Sequence, residues 1–173
     1  MIASEEAELL SRLASEVRDG CIVEVGSWRG GSTIALARSA TVPVYAIEPH
    51  EHFNGVMGGV FGPQDRVAFF QNLLAAGVVE KVRLVNLSSE IITPGWTMPV
   101  GLLWIDGDHR YEAVRRDFEC WQPHLIGPVV FHDATGSTLG PTKLKDELVA
   151  EGYRVVQRVK ATVVLSSPDA ELA

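Results

Sequence analysis

Apolar and polar residues alternate along this chain in two recurring patterns. Short, nearly continuous apolar runs, such as CIVEVG (21–26) and VGLLWID (100–106), are typical of strands that are buried on both faces. Between these runs lie segments with apolar residues at helical spacing, beginning near the N-terminus within residues 1–20. The predicted strands are 21–26, 42–48, 81–86, 100–106 and 126–133, and the predicted helices are 4–18, 30–40, 64–76, 110–121 and 142–150.

The order of these elements predicts the fold class. Strand and helix alternate at least five times, which indicates an α/β fold with a Rossmann-like, doubly wound, mostly parallel sheet and helices on both faces. Two further apolar runs, 153–159 and 161–167, are joined at Lys160 and predict an antiparallel C-terminal hairpin. We therefore expect one domain, residues 1–173, built around a seven-stranded sheet.

One predicted connection, residues 49–64, is longer than a minimal loop. It contains four glycines and two prolines, and no strand or helix is predicted within it. It is interpreted either as a mobile lid or substrate wall that orders on binding, or as a disordered surface loop.

Composition and charge narrow the class of function. The 173 residues carry a formal net charge of -7, which argues against nucleic acid as a general partner. No apolar run approaches the roughly 18 residues that a membrane helix needs. The acidic, helical N-terminus does not resemble a signal peptide, and the two cysteines form no metal-type or redox-type pair, so a cytoplasmic location is expected.

The loop EVGSWRGGS (24–32) joins the first predicted strand to a helix, a place where parallel sheets bind ligands. Gly26 permits a tight turn, and Gly30 or Gly31 permits close backbone approach. Glu48, 22 positions after Gly26, can accept ribose hydroxyls. The spacing is GxxxG rather than the dinucleotide GxGxxG, and Glu24 would repel a pyrophosphate. These features favour S-adenosylmethionine, which has an ammonium, a sulfonium and a ribose but no phosphate; the alternative is a turn with no ligand.

A second group of polar residues follows the fourth and fifth predicted strands. If these strands are neighbours, their backbones lie about 4.8 Å apart at Asp106 and Asp133. Two carboxylates this close are not both stable in the ionised form without a cation. Oxygen ligands favour Mg²⁺, whereas coordination by His132 would favour Mn²⁺ or Zn²⁺. Strand alternation predicts that only one of His132 and Asp133 reaches the site. His109, at a strand-to-helix turn, suits a general base.

Three segments together carry a family resemblance: EVGSWRGGS, AIEP, and WIDGDHRYEAVRRDFECWQPHLIGPVVFHD. They resemble the class I S-adenosylmethionine-dependent methyltransferases, and among these the metal-dependent sugar O-methyltransferases of the macrocin and mycinamicin type. Catechol O-methyltransferase is a more distant likeness. The resemblance covers about residues 20–135.

The resemblance implies a role for each matching residue. The methionine end of the cofactor would be cradled by Glu24, Gly26, Ser27 and Ser32, the ribose would be held by Glu48, and Ser88 would lie near the adenine. The metal would be bound by Asp106 and Asp133, although the family often has a further acidic ligand where this chain has His132 and Ala134. His109 would be the base.

These expectations combine into one hypothesis. A metal on Asp106 and Asp133 lowers the pKa of an acceptor hydroxyl, His109 removes its proton, and the oxygen attacks the methyl carbon of the sulfonium. The acceptor would be a small hydroxylated metabolite of the sugar or phenol type. Two alternatives remain open, a non-catalytic S-adenosylmethionine-binding module and a metal-dependent hydrolase. A homodimer, paired through the terminal strands, is also considered.

Overall fold

The computed structural model describes residues 2–136 and 139–168. Its helices are α1 (Ser4–Glu16), α2 (Gly31–Ser39), α3 (Gln64–Ala75), α4 (Ser89–Ile92), α5 (Tyr111–Trp121) and α6 (Gly140–Ala150). Its strands are β1 (Cys21–Val25), β2 (Val44–Ile47), β3 (Phe53–Asn54), β4 (Val60–Phe61), β5 (Val82–Val85), β6 (Val100–Ile105), β7 (Val129–Phe131), β8 (Arg154–Val159) and β9 (Thr162–Ser166).

The described residues form one seven-stranded sheet in the order β5-β2-β1-β6-β7-β9-β8. The first five strands in this order are parallel, whereas β9 runs antiparallel to both β7 and β8. The predicted fold class is therefore confirmed, including the C-terminal hairpin that turns at Lys160, a residue with φ of 52°.

Burial on both faces explains why the central strands are continuous apolar runs. Every residue of β1 is buried, and the same holds for β7. One core packs the sheet against α1, α2 and α3, and the other packs it against α5 and α6. Alternation along β1 points Cys21 and Val23 into the second core and Ile22 into the first, so Glu24 faces the helices of the first core.

The segment 49–64 differs from its prediction as a loop. It contains a two-stranded antiparallel hairpin in which Phe53 pairs with Phe61, and α3 begins at Gln64. Aromatic contacts hold the hairpin in place, because the Phe53 and Phe61 rings lie 5.5 Å apart and Phe61 packs edge-on against Trp28 at 5.8 Å.

None of the helices in the described part of the chain has both the length and the apolar composition that crossing a lipid bilayer requires.

Candidate active site

The carboxyl ends of the parallel strands meet at one edge, and the strand order reverses between β1 and β6. Such a reversal opens a crevice where ligands bind. Gly26, with φ of 88°, lies directly against the loop after β6, because a Cβ there would come within 2.5 Å of the Asp106 carbonyl oxygen and the Gly107 backbone. The loop after β1 and the acidic loop after β6 therefore adjoin each other.

Glu24 lies beneath the loop after β1 and is fully buried. Its carboxylate accepts hydrogen bonds from the hydroxyls of Ser32 and Thr33, both at 2.5 Å, at the start of α2. Burial raises the pKa of Glu24 to about 7, while the hydrogen bonds from Ser32 and Thr33 act in the opposite direction. The structure thus places Glu24 and Ser32 together beneath the loop, and it buries Ser27 within the loop with its hydroxyl unpaired among the described residues.

Gly30 precedes the first residue of α2 and has φ of 83°, a conformation that favours glycine. A Cβ at this position would lie 2.7 Å from Cδ1 of Leu73 on α3. The Leu73 side chain of α3 thus lies close to the backbone at Gly30.

Glu48, at the end of β2, is held by two backbone amides. Its carboxylate oxygens accept the N–H groups of Trp28 and His50, each at 3.0 Å. Trp28 and His50 have φ of 44° and 54°, which is costly for residues other than glycine and is found at functional sites. A carboxylate offers about four acceptor positions, so the two amides fix Glu48 and leave capacity for a ligand.

His50 and Asn86 complete this arrangement, and neither is among the site residues predicted from the sequence. His50 is 3% exposed; its Nε2 lies 2.9 Å from the Trp28 carbonyl oxygen and its Nδ1 lies 3.3 Å from the Asn86 amide nitrogen. The Asn86 amide also donates to the carbonyl of Glu48 at 2.6 Å. Asn86 could have been identified from the sequence, because it is a polar residue at the end of the predicted strand 81–86. Ser88, half-buried at the start of α4, lies at the same edge of the sheet.

The second half of the site brings together the four residues predicted there. The Nε2 atom of His109 lies 3.1 Å from Oδ2 of Asp133 and 3.8 Å from Oδ1 of Asp106. The Nδ1 atom of His132 lies 2.9 Å from Oδ1 of Asp106 and 3.5 Å from Oδ2 of Asp133. The cluster is partly open to solvent, since the side chains of Asp106 and Asp133 are 19% and 27% exposed.

The expectation that only one of His132 and Asp133 reaches the site is wrong. Strand β7 ends at Phe131, and Asp133 adopts a left-handed conformation with φ of 48°. Regular alternation therefore stops before these residues, and both side chains turn toward Asp106 and His109.

The neighbours of His109 indicate which of its ring nitrogens carries the proton. Nδ1 lies 2.9 Å from the Gly107 carbonyl oxygen, an acceptor only, so Nδ1 donates to it. Nε2 faces the acceptor oxygens of Asp133 and Asp106, so in a neutral ring its free electron pair is satisfied only when a metal ion or the proton of an acceptor hydroxyl lies between them. This is the tautomer that a general base or a metal ligand requires.

His132 has carboxylates on both sides of its ring. In addition to Asp106 and Asp133 at Nδ1, the Glu6 carboxylate from α1 lies 3.5 Å from Nε2. Burial alone would lower the pKa of His132, but the hydrogen bond to Asp106 and the charges of Asp106, Asp133 and Glu6 raise it to about 9. His132 thus supplies positive charge to an acidic site. Nothing in the sequence pointed to Glu6.

The donor atoms of Asp106, His109 and His132 all lie within 4.8 Å of one another and could hold a metal ion. Two imidazoles and a carboxylate suit Mn²⁺ or Zn²⁺ better than Mg²⁺, which prefers oxygen ligands. Coordination by His132 requires that its Nδ1 lose its proton. The donor set therefore fits a divalent ion of intermediate softness.

Comparison with solved structures supports the fold assignment. Rv0187 from MTB, in a cofactor-bound crystal structure, is 17% identical with a TM-score of 0.74, and the match covers 98% of this chain and 83% of that one. The O-methyltransferase from Bacillus cereus in complex with SAH is 17% identical with a TM-score of 0.73, covering 96% and 83%. The O-methyltransferase TomG from Streptomyces achromogenes, involved in tomaymycin synthesis and in complex with SAM, is 17% identical with a TM-score of 0.72, covering 96% and 82%.

At this level of identity the solved structures establish a shared fold. A family model described as a methyltransferase domain matches residues 23–134, which is more than half of the chain. The match runs from within β1 through the loop after β7, and so includes both halves of the site. On this evidence the chain belongs to that methyltransferase domain family.

Proposed function

We propose that this protein is an S-adenosylmethionine-dependent O-methyltransferase of the macrocin and mycinamicin type. It methylates a hydroxyl group of a small metabolite, of the sugar or phenol type, with the help of a divalent metal. The observation that carries this proposal is the position of His109, whose Nε2 faces Asp133 at 3.1 Å beside the loop that contains Gly26. The B. cereus and S. achromogenes structures, O-methyltransferases that hold SAH and SAM, support it.

The cofactor half of the site fits an adenosyl ligand without phosphates. Glu48 would accept the ribose hydroxyls, because the amides of Trp28 and His50 already hold its carboxylate in place. The loop from Gly26 to Gly30 would pass along the methionine end, and Ser88 would lie near the adenine. Glu24 and Ser32 would support this loop from below. Bound S-adenosylmethionine would supply an electrophilic methyl carbon on a positively charged sulfur.

His109 would act as the general base. Its Nε2 takes the proton of the acceptor hydroxyl as that oxygen forms a bond to the methyl carbon and the carbon–sulfur bond breaks, which leaves S-adenosylhomocysteine. The Gly107 carbonyl fixes the ring through Nδ1, and the nearby Asp133 carboxylate stabilises the positive charge that develops on it. The fixed ring also contributes positioning of the two reactants.

A divalent metal would be held by Asp106 and Asp133, with His132 as a third ligand once its Nδ1 has lost its proton. His109 would not be a ligand, because its Nε2 cannot both bind the metal and take a proton. Such an ion would lower the pKa of the acceptor hydroxyl. Treatment with EDTA followed by addition of Mn²⁺, Zn²⁺ or Mg²⁺ tests this part of the proposal. Turnover that is unchanged by EDTA would remove the metal from it.

The hairpin of β3 and β4 would form a wall for the acceptor. On one side Phe61 packs against Trp28 in the loop after β1. On the other side Arg110, at the start of α5, donates to the Asn54 carbonyl at 3.2 Å and lies over the Phe53 ring. The hairpin therefore reaches between the cofactor half and the acidic half of the site, where it can order around a bound acceptor.

The test is formation of S-adenosylhomocysteine from S-adenosylmethionine across a panel of hydroxylated sugars and phenols. We expect product with at least one acceptor. Binding of the cofactor without product for any acceptor would favour a non-catalytic binding module. Metal-dependent ester cleavage that needs no methyl donor would favour a hydrolase.

A further inference from the structure

Glu6, on the first turn of α1, is a buried carboxylate that reaches the site from the other end of the chain. It is 3% exposed, and its Oε2 lies 3.5 Å from Nε2 of His132. Burial of a carboxylate is costly unless hydrogen bonds and charges compensate it. A carboxylate that is buried beside the ring contacting Asp106 is therefore expected to have a specific role there.

The position of Glu6 is fixed by hydrogen bonds from three directions. Oε1 accepts the Thr162 hydroxyl at 2.9 Å and the Ala161 N–H at 3.2 Å, both at the turn between β8 and β9. Oε2 accepts the Ala3 N–H at 2.9 Å. The carboxylate is thus rigidly placed, and its remaining contact is with the imidazole of His132.

The ring of His132 is consequently held from two sides. Nδ1 donates to Asp106 at 2.9 Å, and one face of the ring packs near Trp104, with 5.5 Å between ring centroids. A half-turn of the imidazole about its Cβ–Cγ bond would move Nδ1 away from Asp106 and put a carbon in its place. Such a turn would also move Nε2 away from the Glu6 carboxylate, so Glu6 favours the observed orientation of the ring.

We propose that Glu6 is a positioning residue of the active site: it orients the imidazole of His132, which in turn orients the Asp106 carboxylate toward His109. The orienting role of Glu6 follows from the contacts of the His132 ring alone. The effect of Glu6 on turnover rests on the proposed methyl transfer. Removal of an outer partner of this kind typically costs about 10- to 100-fold in activity or metal affinity.

Glu6 also joins α1 to the turn between β8 and β9, so a purely structural role has to be distinguished from positioning. The test uses the full chain with Glu6→Gln and Glu6→Ala. Glu5→Gln serves as the matched control, because Glu5 lies on the same turn of α1 and its exposed carboxylate pairs with Lys160 at 3.0 Å. Three experiments are made: calorimetric binding of S-adenosylhomocysteine, steady-state kinetics that give kcat and KM for an acceptor, and detection of the imidazole nitrogen signals of His132 in isotope-labelled protein.

We expect both Glu6 variants to bind S-adenosylhomocysteine within about twofold of the wild type, which would show that the cofactor half is intact. Their kcat should fall at least about tenfold with little change in KM, and the His132 ring signals should shift. The Glu5→Gln control should match the wild type in all three measurements. His132→Asn, which removes those signals, assigns them among the five histidines.

Two results would overturn the positioning role: wild-type kcat and unshifted His132 signals in both Glu6 variants, or a loss of cofactor binding in parallel with kcat. Failure of the proposed function gives a different result, because the wild type itself would then form no S-adenosylhomocysteine with any acceptor. In that case the His132 signals alone decide whether Glu6 holds the ring.

Discussion

The Nε2 atom of His109 lies 3.1 Å from Oδ2 of Asp133, although 24 positions separate the two residues along the chain. Parallel pairing of β6 with β7 brings them together, since Ile105 pairs with Phe131 and both loops leave the same edge of the sheet. An imidazole and a carboxylate are thereby placed beside the loop that contains Gly26. The order of strands in the sheet therefore accounts for the contact between His109 and Asp133.

Replacement of His109 with Ala should abolish most turnover. If Nε2 of His109 takes the acceptor proton, kcat should fall by about 10²- to 10⁴-fold, while binding of S-adenosylhomocysteine stays close to that of the wild type. Steady-state kinetics with titration calorimetry measures both. His124→Ala, in the short helical turn after α5, is the control and should retain activity. Undiminished kcat in His109→Ala would remove His109 as the base.

The contact between Gly26 and the loop after β6 predicts a pair of opposite effects. Gly26→Ala forces a side chain into a left-handed conformation and against the backbone of Asp106 and Gly107, so it should destabilise the protein by at least about 1–2 kcal/mol and reduce kcat. Gly31→Ala meets no atom within 4 Å and should be neutral or gain up to about 1 kcal/mol. Denaturant unfolding compares the two. Equal stabilities would contradict the close packing of these loops.

Stability should fall as the pH rises from about 5 to about 9. The pKa of Glu24 is raised from 4.5 to about 7, and that of His132 from 6.5 to about 9. Within each interval the folded protein holds a proton that the unfolded chain has released, so a higher pH disfavours folding. Glu6 and Asp65, whose pKa values are lowered, affect stability with the opposite sign, and only below the ordinary carboxyl range.

Melting temperatures measured across this pH range check the prediction. Glu24→Gln should weaken the dependence between about pH 4.5 and 7, and His132→Asn should weaken that between about pH 6.5 and 9. Some dependence below about pH 6 should persist in Glu24→Gln, because burial raises the pKa of Asp117 to about 6. Glu112→Gln, on the exposed side of α5, should keep the wild-type profile. A wild-type melting temperature that rises with pH over this range would contradict the buried, proton-holding state of these two groups.

Arg110 should matter for the acceptor and not for the cofactor. Its hydrogen bond to Asn54 links the hairpin to the start of α5 through an exposed side chain. Arg110→Ala should therefore raise the acceptor KM by about two- to fivefold, as expected for a contact worth up to about 1 kcal/mol. Arg116→Ala, which removes an exposed ion pair with Glu90 at 3.0 Å, is the control. An unchanged KM would argue against the hairpin as the acceptor wall.

Much of this structure follows from sequence pattern. The alternation of apolar strands and helices predicts the parallel sheet, and the sheet places Asp106 and Asp133 at neighbouring strand ends. The GxxxG spacing predicts the turn at Gly26, because a left-handed conformation there admits glycine at low cost. Periodicity can be read from one chain, whereas the adjacency of β6 and β7 was a condition of the prediction that the sheet order meets.

Other features depend on tertiary contacts that no local pattern records. Glu6 reads as an ordinary helical glutamate, and only the packing of α1 near the turn between β8 and β9 brings it to His132. The early end of β7 turns both His132 and Asp133 into the site, against the alternation of a regular strand. The hydrogen bonds of Glu24 to the hydroxyls of Ser32 and Thr33 on α2 are likewise tertiary contacts that the sequence pattern does not record.

Titration calorimetry with S-adenosylhomocysteine tests most directly whether the crevice between β1 and β6 binds the cofactor. We expect saturable binding of one molecule per chain. Glu48→Ala should weaken this binding by about 10- to 100-fold, the loss expected when one hydrogen bond to a charged group is removed. The control is Glu51→Ala, which removes a nearby exposed carboxylate and should leave the affinity unchanged. Absence of saturable binding by the wild-type protein, with or without Mn²⁺, would contradict methyl transfer at this site.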